Sequence, residues 1–126
     1  MHDGDDIRVL IVEDDPLMAL DLMALLDCAG FEVLGVAESG EQAVVLAKAR
    51  PVDVILMDVD LSHGGGRLDG LETAAIILGQ SAAAVVFVTG EAPDEVDRRC
   101  RALGGAQVVA KPFDDRKLLD AVRHAA

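Results

Sequence analysis

Tryptophan and tyrosine are absent from the 126-residue sequence, and three phenylalanines supply all of its aromatic surface. The core therefore has to be built from Val, Leu, Ile, Ala and Met, and tryptophan quenching cannot report on it. Cysteine is scarce as well. Cys28 and Cys100 lie far apart without a CxxC pattern, which argues against a disulfide framework or a zinc site and for two reduced thiols inside helices. Basic residues are few, 11 against 23 acids, and the formal net charge is −12. Such a surface repels the phosphates of nucleic acid and of an anionic membrane. No apolar stretch approaches the roughly 18 residues of a membrane span, and the opening "MHDGDDIRV" has no apolar signal region. The expectation is a soluble, cytoplasmic protein that binds neither nucleic acid nor membrane.

The residues that are present describe one globular domain with one core, since 52% of them are apolar. Five apolar, β-branched runs stand out: 7–12, 31–36, 53–58, 84–89 and 106–110. The first, third and fourth are almost continuously apolar, as in strands covered on both faces. Helical patterns fall between and after them, at about 16–29, 40–49, 70–80, 94–103 and 114–125. Punctuation supports these spans. Pro16 suits a first turn and Gly30 a stop; Ser39 suits a cap, and Pro51 ends the second helix. The acids at 94–95 and 114–115 suit the positive ends of the fourth and fifth helices. Regular alternation of strand and helix predicts a parallel α/β sheet with right-handed crossovers and helices on both faces. The one irregular stretch, "SHGGGRLDG" at 62–70, reads as a flexible loop.

In such sheets ligands gather beyond the carboxyl ends of the strands. Glu13, Asp14 and Asp15 follow the first strand there, Asp58 ends the third and Asp60 lies just beyond it. Thr89 ends the fourth strand, with Gly90 after it, and Lys111-Pro112 follows the fifth. A carboxylate at the end of an apolar strand is costly unless something pairs with it. Clustered carboxylates without His or Cys ligands favour a hard cation, and Mg²⁺ fits best because it keeps several waters and needs few carboxylates. Asp58 can then stay ionised as a nucleophile toward a phosphoryl group. Mg²⁺ and Lys111 would neutralise the transferring oxygens, Thr89 would donate a hydrogen bond, and Gly90 would let the backbone come close.

The pieces "VLIVEDDP" (9–16), "DVILMDVDL" (53–61), "VVFVTG" (85–90) and "VVAKPF" (108–113) together resemble the response-regulator receiver domain, the CheY-like family, over essentially the whole chain. That resemblance implies a flavodoxin-like, doubly wound, five-stranded parallel sheet of order 2-1-3-4-5 with five helices. It implies a phosphoacceptor at Asp58 and a cis peptide before Pro112. Metal ligation would come from Asp14 and Asp58 directly, Glu13 mainly through water, and the backbone carbonyl of Asp60. Thr89 and Lys111 would complete the site. The phosphoryl donor would be a sensor histidine kinase or a histidine phosphotransfer protein, and the signal a population shift. The domain would be a signalling acceptor and not an enzyme, catalysing only its own phosphorylation and dephosphorylation.

Three departures from the family pattern matter. Val108 stands where an aromatic switch residue often sits, three residues before the lysine; Phe113 and Phe87 are the aromatics available to substitute. The loop between Asp58 and Asp69-Gly70 is long and carries three glycines. With "VFVTG" it resembles stand-alone receivers with a Phe-Ala-Thr-Gly signature and those acting on general-stress sigma-factor partners, Val88 replacing the signature Ala. Residues 1–126 read as a receiver with no output domain, so output would pass to a downstream protein, or the chain would act as a phosphate sink.

Smaller signals remain. Helix 1 is apolar beyond one face, through Leu17, Met18, Leu22, Met23, Leu25 and Leu26. It reads either as generous core or as a docking face for a kinase helical bundle or a second copy of the chain, making a homodimer. Arg98, Arg99 and Arg101 read as a solvated face or a partner surface, and His63 as an exposed loop residue. Asp60 and Glu91 lie two residues beyond Asp58 and Thr89, positions that in this family influence acyl-phosphate lifetime. Two rival readings are a haloacid-dehalogenase-like aspartyl phosphatase, because "DVDL" resembles its nucleophile motif, and a degenerate module that is never phosphorylated. In the phosphatase the nucleophile follows the first strand and an acidic pair follows the lysine; here the acids at 13–14 come first.

Overall fold

The computed structural model describes residues 7–90, 93–103 and 107–126. Its elements alternate without exception: β1 (Arg8–Val12), α1 (Pro16–Cys28), β2 (Glu32–Ala37), α2 (Gly40–Ala49), β3 (Val54–Asp58), α3 (Gly70–Leu78), β4 (Ala84–Thr89), α4 (Pro93–Arg101), β5 (Gln107–Ala110) and α5 (Asp115–Ala125). The strands form one sheet in the order β2-β1-β3-β4-β5, every neighbouring pair parallel. The three central strands carry the near-continuous apolar runs, and each is closed by a helix layer on either side.

Alternate side chains of each strand go to different layers. Leu10, Val12, Ile55, Met57, Val85 and Phe87 face α2, α3 and α4, where Ala43, Ala74, Ile77, Val96 and Cys100 meet them. Val9, Ile11, Val54, Leu56, Val86 and Val88 face α1 and α5, against Leu22, Leu26, Leu118 and Val122. Phe87 is completely buried in the first layer, so it offers no surface for a switch. Phe113 is half-buried against the second.

The helix ends follow their expected signals. Pro16 opens α1 behind an Asp15 cap, whose Oδ1 accepts the Leu17 and Met18 amides. Gly30 takes a positive φ of 93° just past the end of α1, where a side chain would be strained. Ser39 caps α2, Asp114 caps α5, and Asp69 forms a reciprocal capping box with Glu72 at α3. α1 buries Leu22 and Leu26 and half-buries Met18 and Met23, so its outward apolar residues are Leu17 and Leu20, 73% and 59% exposed. Cys28 is exposed and Cys100 buried; burial lifts the Cys100 thiol to about 11, so it stays protonated and inert. Arg98 and Arg99 are exposed on α4, Arg99 standing 3.9 Å from Asp69; the Arg101 side chain and Glu91 lie outside the described residues.

The 62–69 segment is a docked structure, which corrects the reading of it as a flexible loop. The His63 amide donates to Asp14 Oδ2 at 2.7 Å, and the Arg67 amide donates to Glu41 Oε2 at 2.8 Å. A β-carbon on Gly64 would collide with the Glu38 carbonyl, and one on Gly66 with the Glu41 carboxylate. Glycine is required at 64, where the obstacle is backbone; at 66 a side chain would have to push aside the Glu41 carboxylate that receives the Arg67 amide.

With so few aromatics, Phe87 carries an unusual share of the upper layer. Phe87→Ala should lower unfolding stability by about 3–5 kcal/mol, read as a reduced urea midpoint; a loss below about 1 kcal/mol would show that the layer collapses onto the gap.

Candidate functional site

Parallel pairing brings the carboxyl ends of β1, β3, β4 and β5 to one edge, and the expected residues meet there. Glu13, Asp14, Asp58, Asp60, Thr89 and Lys111 all line one shallow cavity of about 350 Å³, together with Asp15, His63 and Gly90. β3 ends on Asp58 itself, paired with Val88 of β4, which leaves Thr89 one step further along the same edge. The Lys111 amide donates to the Thr89 carbonyl at 2.8 Å, and a cis Lys111–Pro112 peptide follows, as the resemblance implies.

Lys111 holds the site together. Its Nζ stands 3.3 Å from Glu13 Oε1 and 3.4 Å from Asp58 Oδ1. Glu13, only 2% exposed, also accepts the Asp15 amide on Oε2 at 3.2 Å. Asp58, 6% exposed, accepts the Asp60 amide on Oδ1 at 3.3 Å. Thr89 is buried at the same rim. The Asp60 carboxylate turns to the Ser62 amide at 3.0 Å; hydrogen bonds from Ser62 chiefly, with smaller help from His63 and Lys111, hold it below the usual carboxylate range.

Five carboxylates against one lysine leave the pocket electrostatically under-compensated. Burial first, and then repulsion by Glu13, push the Asp58 carboxyl from 3.8 up to about 7, although Lys111 pulls the other way. Burial works against the charge on Lys111, but Asp58 and Glu13 together outweigh it, so its pKa rises. The donor oxygens of Glu13, Asp14 and Asp58 all lie within 4.8 Å of one another. Hard oxygen donors in that arrangement fit a hard divalent cation, which would supply the positive charge that Lys111 alone does not.

Asp15, adjacent to the two acids of the cluster, is the cap of α1. His63 is exposed as expected, with its side chain 82% accessible, and its Nδ1 stands 3.6 Å from Asp14 Oδ2, a proximity that the sequence did not signal. Only the loop docking, which has no periodic signature, brings it there.

An open, doubly wound α/β sheet with a lysine-bridged acidic pocket at its carboxyl edge defines the flavodoxin-like class of fold and site. Within that class the chain belongs to the response regulator receiver domain family, whose profile matches residues 9–123. It is thus a two-component signal receiver. It is 34% identical over 118 residues to the transcriptional regulatory protein PdtaR of Mycobacterium tuberculosis, covering 94% of this chain and 56% of that protein. The chain spans about half the length of the curated relatives it matches. Among solved structures, the receiver domain of a modulated diguanylate cyclase from Desulfovibrio desulfuricans superposes with TM-score 0.85 at 35% identity, covering 95% of this chain and 94% of that one. Vibrio cholerae CheY4 superposes with TM-score 0.84 at 26% identity, over 95% of this chain and 98% of that one. Among the described residues no helix is long and apolar enough to cross a membrane.

The raised Asp58 pKa has a cost. The folded state holds the Asp58 proton more tightly than the unfolded chain, so the penalty is absent below about pH 4 and complete above about pH 7. The full shift corresponds to about 4 kcal/mol, which screening at the pocket mouth reduces to about 1–3 kcal/mol. In metal-free buffer Asp58→Asn should therefore be more stable than wild type by that amount at pH 8, and the gap should shrink toward pH 4. A pH-independent difference in urea midpoints would refute this origin.

Proposed function

We propose that Asp58 is the phosphoacceptor and that the donor is a phosphohistidine on a sensor histidine kinase or a histidine phosphotransfer protein. One observation carries this reading: Lys111 Nζ at 3.4 Å from Asp58 Oδ1, with the Glu13 and Asp14 carboxylates beside it at a strand end. An Asp58 oxygen attacks phosphorus, the P–N bond to the donor imidazole breaks, and the nitrogen keeps the bonding pair and takes up a proton from solvent. The product is an acyl phosphate on Asp58.

Mg²⁺ would be held by Asp14 and Asp58 directly, by Glu13 mainly through water, and by the backbone carbonyl of Asp60. When bound it supplies charge neutralisation to the phosphoryl oxygens. Lys111 stands ready to pair with another of those oxygens, exchanging a carboxylate partner for a phosphate one. The Thr89 hydroxyl donates to a third.

The domain acts as a signalling module in the cytoplasm, and its own chemistry is confined to gaining and losing the phosphoryl group. Leu20 on α1 lines a mostly apolar groove with Pro16, Ala19, Met23 and Val36, which also reaches Glu13 and Asp14. A helical donor seated there would have its histidine facing Asp58. A downstream protein, or drainage of phosphate from the kinase, completes the pathway. Val108 in place of an aromatic, with Phe87 locked in the core, means that Thr89 movement is transmitted without a swinging ring on β5.

Two measurements test the chemistry. Incubated with a small phosphoramidate, wild type should gain one phosphoryl group by intact mass only when Mg²⁺ is present, and Asp58→Asn should gain none; equal labelling of the variant would reject the assignment, and sustained turnover of a generic phosphate ester would favour a phosphatase. Lys111→Ala should still bind Mg²⁺ but lose most of the NMR shift response to beryllofluoride. An unchanged response would remove Lys111 from the phosphoryl site.

A further inference from the structure

We infer that His63 is a specificity-determining residue for the cation: its imidazole adds a nitrogen ligand to a site whose other candidate ligands are oxygens, and biases that site from Mg²⁺ toward Mn²⁺ and later divalent metals. The inference rests on the cation reading proposed above. The described acids nearest the pocket supply only carboxylate donors. His63 Nδ1 stands outside the Glu13, Asp14 and Asp58 triplet but 3.6 Å from Asp14 Oδ2. Two ligands at right angles on a cation, each about 2.1 Å from it, are about 3 Å apart. The imidazole approaches that spacing toward Asp14 alone, and it joins the triplet only by turning inward.

The backbone keeps it there. The His63 amide is tied to Asp14 Oδ2 at 2.7 Å, so residue 63 cannot drift from the rim without breaking a charge-assisted hydrogen bond. The next residue, Gly64, is seated so tightly that a β-carbon would meet the Glu38 carbonyl and come within 3.2 Å of Asp14 Cβ. The Arg67 amide on Glu41 closes the loop from the other side. Within this fixed frame the ring is free, its side chain being 82% exposed, and it can turn toward the pocket without displacing a packed neighbour. Mg²⁺ discriminates in favour of oxygen and water; Mn²⁺ also suits oxygen ligands but begins the series in which affinity for an imidazole nitrogen rises, through Fe²⁺ and Co²⁺ to Ni²⁺ and Cu²⁺. One nitrogen donor at the rim thus changes the ratio of affinities and leaves the Mg²⁺ site formed by the acids intact.

The test measures binding and ligation separately from phosphorylation. Mn²⁺ alone and Mg²⁺ alone are titrated into wild type, His63→Gln and Asp14→Asn by calorimetry, and the Mn²⁺ adducts are examined by electron spin-echo modulation. His63 is too exposed for its replacement to threaten folding. Wild type should show an imidazole nitrogen coupling to Mn²⁺ that vanishes in His63→Gln. That variant should bind Mn²⁺ about 10-fold more weakly, with Mg²⁺ affinity changed less than about twofold. Bound Mn²⁺ that is lost in Asp14→Asn, yet shows no imidazole coupling in wild type, overturns the His63 assignment and leaves the cation reading standing. Absence of any Mn²⁺ or Mg²⁺ binding to wild type overturns both.

Discussion

The ammonium of Lys111, between Glu13 and Asp58, is the contact on which the functional edge depends. It is the one cation among the described residues within ion-pair reach of either acid, at 3.3 and 3.4 Å. Without it two buried carboxylates from neighbouring strands would face each other across a few ångströms of low dielectric. Its position is in turn a product of the sheet. β5 pairs with β4 up to Thr89, and the Lys111 amide adds one more backbone bond to that strand, so the side chain emerges level with Asp58. Hydrophobic burial of the strands thus supplies the force that holds like charges together at their ends.

That arrangement explains why the pocket is both strained and useful. A site with balanced charge would gain little from a cation. Here the excess negative charge raises the Asp58 pKa, while the same excess is what a divalent ion relieves. Stability is given up at Asp58, and the aliphatic layers on both sides of the sheet compensate for it.

Much of this was legible in the residues. The strands could be read because β1, β3 and β4 are covered on both faces and so are written as unbroken apolar runs; their ends then named Glu13, Asp14, Asp58 and Thr89, and the end of the shorter fifth run named Lys111. The strand order came only with the family resemblance, since local patterns say nothing about which strands are neighbours. α1 was ambiguous for a physical reason: it is apolar nearly all round, so periodicity could not tell buried Leu22 and Leu26 from exposed Leu17 and Leu20. The 62–69 segment was misread because its order comes from backbone amides reaching Asp14 and Glu41, residues distant in sequence, and from glycines chosen for contact as well as for freedom.

Gly70 opens α3 against the peptide that follows Asp58: a β-carbon there would strike the Asp58 carbonyl and the Val59 Cα, and the Gly70 amide already donates to the Val59 carbonyl at 2.8 Å. No slack separates β3 from the helix after it. Asp58 and the start of α3 are therefore in direct backbone contact, so a displacement of the Asp58 peptide cannot occur without displacing the first turn of α3.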